Sequence, residues 1–178
     1  MADSGLWIGV VTALTALGAS SVTARATLRA ARAQVETTTR AEALREQRDR
    51  RRAAYRGMLD RVHAFNVITW QIDDVDAASD RGSRDRLLAR MRERIGPAIG
   101  DMNQAMHEVR LDGPANVSDA ADRVRDAARR VQRTLGPLVG DDDGPERRSA
   151  YDDAYREFRD AYLTFIRLAR EALEVEAA

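Results

Sequence analysis

The chain has 178 residues, with 29 basic and 29 acidic side chains, and its formal charge sums to zero. Every basic residue is arginine and there is no cysteine, so disulfides and thiolate metal sites are excluded. Only four prolines and no long β-branched or aromatic run argue for an all-α chain.

Ser4 to Ala24 is uncharged across 21 positions and is closed off by Asp3 and Arg25. A bilayer core takes about 20 such residues in a helix. Leu6, Trp7, Ile8, Val10, Val11, Leu14, Leu17 and Val22 supply the apolar part. The stretch predicts an N-terminal transmembrane anchor over residues 1–24. A cleaved signal peptide fits less well, because its positive charge precedes the apolar run. Here Asp3 precedes it, and Arg25, Arg29 and Arg32 follow. Arginines beside a span stay cytoplasmic. The expected protein is therefore single-pass in the cell membrane, with its N-terminus outside, its body cytoplasmic and these three arginines against lipid headgroups. Gly5, Gly9, Thr12, Ala16, Ala19 and Thr23 step by three and four along one face. That spacing lets membrane helices approach closely, so the stripe is a candidate self-association face. An Ala/Gly-rich chain also produces such stripes by chance.

Residues 25–52 read as a basic helical stalk. Charge concentrates there: residues 25–56 hold 10 arginines against 4 acids, and residues 57–178 hold 19 against 24. Leu28, Ala31, Val35 and Thr38 form a thin apolar seam. Thr37, Thr38 and Thr39 are an expected weak point, because β-branched residues lose side-chain freedom in a helix. A single polar helix of this length is marginal alone.

Residues 53–178 predict an antiparallel up-down four-helix bundle, with helices at about 53–78, 84–111, 115–138 and 145–176. Tyr55, Met58, Val62, Phe65, Ile68 and Val75 give the first apolar face. Arg81-Gly82 reads as a turn, with Ser83 able to cap the next helix. Gly96-Pro97 predicts a kink in one bent helix. Asp112-Gly113-Pro114 is the second turn. Val117, Ala121, Val124, Ala128, Val131 and Leu135 make the third seam, and Tyr151, Tyr155, Phe158, Tyr162 and Phe165 lead the fourth. This topology gathers Asp73, Asp74, Asp76 and Asp80 at the end that carries Asp141, Asp142 and Asp143. The last three make an exposed loop and a candidate docking point for a partner.

Signatures of chemistry are sparse. Asp60-x-x-His63 and Gln104-x-x-His107 echo a di-metal bundle motif, but counted from the first turn the two histidines differ by about 12 Å in height. No phosphate-binding glycine loop, nucleophile elbow or paired catalytic constellation occurs. No metal or cofactor is expected. The Arg48 to Arg52 run lacks the aromatic platforms that accompany single-strand binding, so it reads as a juxtamembrane charge cluster and no nucleic-acid partner is expected.

Arg50-Arg51-Arg52-Ala53-Ala54-Tyr55, after an N-terminal membrane segment, resembles a set of uncharacterised membrane-anchored proteins from high-GC actinobacteria. So does Glu108-Val109-Arg110-Leu111-Asp112-Gly113-Pro114 before an Ala-rich helix. Exclusive use of arginine fits a GC-rich genome. The resemblance implies a membrane-tethered helical bundle and carries no established activity. The expected function is non-enzymatic: an interaction, scaffold or regulatory protein at the cytoplasmic face, self-associating or docking another protein. The alternatives are an oligomeric membrane-active effector, pore-forming or phage-linked, and a ligand-sensing bundle with a site near Gly96-Pro97.

Overall fold

The computed structural model describes the backbone of residues 3–135 and 145–175, and the side chains of residues 34–135 and 146–174. It is built from helices: α1 Asp3–Thr69, α2 Ile72–Ala77, α3 Arg81–Asp112, α4 Ala115–Leu135 and α5 Pro145–Val175. No strand occurs among the described residues. The chain divides into two compact units, Met1–Glu46 and Gln47–Ala178.

In the first unit, residues 34–46 are all exposed, Val35 and Leu44 included. The threonine run does not interrupt the helix. The hydroxyls of Thr37 and Thr38 both donate to the Gln34 carbonyl, at 2.9 and 2.8 Å, and that of Thr39 donates to the Val35 carbonyl at 2.9 Å. This back-bonding satisfies each hydroxyl inside the helix's own turn.

The second unit packs four long helices together. Along α1, Arg48, Tyr55, Phe65 and Thr69 meet Leu173, Phe165, Phe158 and Tyr151 of α5, in reverse order. Arg51 and Arg61 of α1 meet Asp112 and Asp101 of α3, also reversed. Arg92, Met106 and Val109 of α3 meet Leu135, Arg125 and Ser118 of α4 in the same opposed sense. The core runs the length of the bundle through Met58, Val62, Phe65, Met91, Met102, Val124, Val131, Phe158 and Phe165, each at most 1% exposed. Burying one such side chain stabilises by about 1.5–3 kcal/mol.

Several boundaries differ from the sequence expectation, each for a local reason. The stalk and the first bundle helix are one element, and it ends at Thr69, short of residue 78. There Gln71 N–H bonds back three residues to the Ile68 carbonyl at 3.2 Å, and Asp73 N–H to the Trp70 carbonyl at 3.2 Å. The tightened turn closes α1, and α2 follows as a separate short helix. No glycine or proline marks this break, so nothing local announced it. Arg81 and Gly82 are not a turn; they open α3. The cap is Asp80 in extended conformation, whose Oδ1 accepts from Ser83 N–H at 2.8 Å. Ser83 is thus the donor, and its hydroxyl also donates to Asp80 Oδ2 at 2.6 Å. α3 continues through Pro97 without a break. α4 is described to Leu135.

At the α3–α4 turn, Gly113 N–H donates to the Val109 carbonyl at 2.8 Å. A Cβ on Gly113 would stand 2.7 Å from that carbonyl oxygen and 3.1 Å from the Tyr55 hydroxyl. The contact with the carbonyl of its own helix is what restricts this position to glycine, and Tyr55 of α1 crowds it further.

The expected anchor residues Leu6 to Val22, the stripe Gly5 to Thr23, and Arg25, Arg29 and Arg32 lie outside the described side chains, as does the loop Asp141, Asp142 and Asp143. Among the described residues no helix is long and apolar enough to cross a membrane.

Candidate functional site

The last carbonyls of a helix have no intrahelical donor, and a cation placed there also meets the negative end of the helix dipole. In this bundle a side-chain donor from a neighbouring helix reaches the C-terminal end of α1 and of α3 and the last described turn of α4 and of α5. Arg48 Nη2 of α1 donates to the Leu173 carbonyl of α5 at 3.2 Å. Arg51 Nε of α1 donates to the Asp112 carbonyl of α3. Arg92 Nη2 of α3 donates to the Leu135 carbonyl of α4 at 3.2 Å. Tyr151 of α5 donates its hydroxyl to the Thr69 carbonyl of α1 at 3.0 Å.

Two of these donors come from the arginine run that read as a juxtamembrane cluster. Arg50 of the same run stands 4.0 Å from the Asp112 carboxylate. Arg48, Arg50 and Arg51 are therefore engaged with the bundle itself. The structure also brings together Arg50–Tyr55 and Glu108–Pro114, the two stretches that carry the sequence resemblance. Tyr55 is 3% exposed, and its hydroxyl oxygen has no hydrogen-bond partner. Burial is the main cause that pushes its pKa above the usual tyrosine value.

At the opposite end of the unit the expected acidic surface is partly neutralised. Arg148 of α5 pairs with Asp76 of α2, lies 4.0 Å from Asp73 and holds Asp152 at 3.1 Å. Its guanidinium sits 5.6 Å from the centre of the Tyr151 ring. One side chain thus ties α2 to α5. Beside it Trp70, 53% exposed, donates its indole N–H to the Tyr155 hydroxyl at 2.9 Å. The His63 ring meets Trp70 edge-on at 6.3 Å.

A groove of about 420 Å³ opens between α1 and α3 beside Pro97. Ala64, Ile68, Pro97 and Ala98 give it an apolar floor, and Arg61, Asp101, Glu93 and Arg94 are its polar lining. The cross-groove ion pair Arg61–Asp101 is 3.9 Å long. Proline has no amide, so the Glu93 carbonyl loses its usual donor four residues on. The place is the one that the ligand-sensing alternative pointed to.

Among the described residues no group of three or more His, Cys, Asp or Glu is gathered as a metal would require. The donors Arg48, Arg51, Arg92, Arg148 and Tyr151 were legible only as basic or aromatic positions on helices. Their partners are main-chain carbonyls or residues on other helices, which leave no pattern in the sequence.

The chain matches no family model, no curated protein and no solved structure.

Proposed function

We propose that this chain is a non-enzymatic, membrane-tethered interaction protein that holds a helical bundle at the cytoplasmic face and self-associates or docks a protein partner. One observation carries the reading. The uncharged stretch Ser4–Ala24, the basic residues after it and the first helix of the bundle all belong to the single helix α1, Asp3–Thr69. The arginines at 25, 29 and 32 orient an anchor in that stretch with the body inside. The engagement of Arg48, Arg50 and Arg51 with α3 and α5 supports a structural use of the later run over nucleic-acid binding.

The test is membrane fractionation with in-cell crosslinking, comparing the full chain with a form that begins at Arg40. The reading expects only the full chain to sediment with membranes and to crosslink into a ladder. If both forms stay soluble and monomeric, residues 4–24 are not an anchor and the tether is abandoned. The groove at Pro97 favours a ligand-sensing bundle as the second reading, and a ligand-dependent rise in melting temperature is its signature.

A further inference from the structure

We propose that residues 48–51 of α1 are a conformational link: when α1 unwinds across them, the C-terminal ends of α3 and α5 are released together. The geometry rests on two donors one helical turn apart. Arg48 reaches the Leu173 carbonyl near the end of α5, 125 positions along the chain. Arg51 reaches the Asp112 carbonyl at the last residue of α3, 61 positions along. Both side chains are half-buried.

Three residues apart on a helix, two side chains share a face. They diverge to two different helix ends only while α1 holds its helical turn from Arg48 to Arg51. Loss of that turn moves both guanidiniums off their acceptors in one event. Arg50, also within the turn, then leaves the Asp112 carboxylate. The last described turn of α4 takes its donor from outside this segment, from Arg92 of α3. The bundle thus contains a built-in comparison: two helix ends with donors from this segment and one without. The link lies wholly within the unit Gln47–Ala178 and does not depend on the membrane reading. Whatever bends or unwinds α1 at this point, a partner or a second copy, is read out at the α3–α4 turn and at the end of α5.

Native-state amide hydrogen exchange on the full chain tests the link. Ala53 is exposed and makes none of these contacts, and proline there disrupts the helical turn before it. Ala53→Pro is expected to speed exchange about tenfold at residues 109–113 and at 170–174, the scale of losing one charged hydrogen bond. The amides at the end of α4 keep their protection. Adding Arg48→Gln and Arg51→Gln to Ala53→Pro brings no further change, because the caps are already gone. The link is overturned if Ala53→Pro leaves either end protected, if the end of α4 loosens equally, or if the effects add. Should Ala53→Pro fail to fold, the Arg48→Gln/Arg51→Gln chain alone must loosen both ends and spare α4; if it does not, the proposal falls.

Discussion

The Tyr151 hydroxyl lies 3.0 Å from the main-chain carbonyl of Thr69, joining two residues 82 positions apart. This bond completes the end of α1. Where the helix tightens at Gln71, the Thr69 carbonyl would otherwise be buried without a donor, since Thr69 is 1% exposed. Removing the hydroxyl in Tyr151→Phe leaves that acceptor unpaired, and the variant is expected to lose about 1–2 kcal/mol. Urea unfolding read by circular dichroism checks it: the midpoint falls while the slope stays constant.

Tyr55 makes the opposite case. Its hydroxyl is buried and unpartnered, so Tyr55→Phe removes a desolvated polar group and costs nothing, or stabilises slightly. Gly113→Ala drives a Cβ to 2.7 Å from the Val109 carbonyl and 3.1 Å from the same hydroxyl. Such overpacking costs about 1–3 kcal/mol. In the double variant the hydroxyl clash is gone and the carbonyl clash remains, so the loss shrinks without vanishing. A loss equal to the sum of the single variants would show that Tyr55 does not limit the turn.

Asp80 gives the α3 cap a pH dependence. Its carboxyl accepts from the Ser83 hydroxyl and amide, which hold its pKa below the ordinary value of 3.8. A depressed folded pKa means stability that is present above the unfolded value and is lost as pH falls through the folded one. Below about pH 4 the wild type therefore sheds this contribution. Asparagine caps comparably without titrating. Asp80→Asn should match the wild type near neutrality and lose less in the acid limb. Thermal melts across that pH range would contradict the assignment if the two curves stayed parallel.

Packing supplies the larger quantities. The Phe65 and Phe158 rings are 4.7 Å apart between centroids, both at most 1% exposed. Phe158→Ala is expected to cost about 3–5 kcal/mol through lost burial and a residual cavity. Leu111, 85% exposed, is the control: Leu111→Ser should change stability by no more than about 0.5 kcal/mol. Chemical denaturation of the two variants side by side separates core from surface.

Much of the architecture is legible in the residue pattern alone. Apolar residues three and four apart placed Met58, Val62 and Phe65, or Val117, Val124 and Val131, on buried faces, because a helix puts those spacings on one side whatever its surroundings. Asp112-Gly113-Pro114 marked its turn for equally local reasons. The break after Thr69 was not legible: it rests on a tightened turn and on Tyr151, which arrives from another helix. Asp80 and Ser83 both carry capping chemistry, and only the backbone decides that Asp80 accepts and Ser83 donates at the start of α3.

The sequence by itself determined that this protein is helical, where the turn between α3 and α4 falls, and that its charge is divided along the chain, because periodicity, turn chemistry and charge are properties of neighbouring residues. Only the tertiary structure decided what the arginines do. Arg48, Arg51 and Arg92 look alike in the chain, yet each ends on a carbonyl of a different helix. A main-chain acceptor carries no residue identity, and which helix end comes within reach depends on how four helices pack.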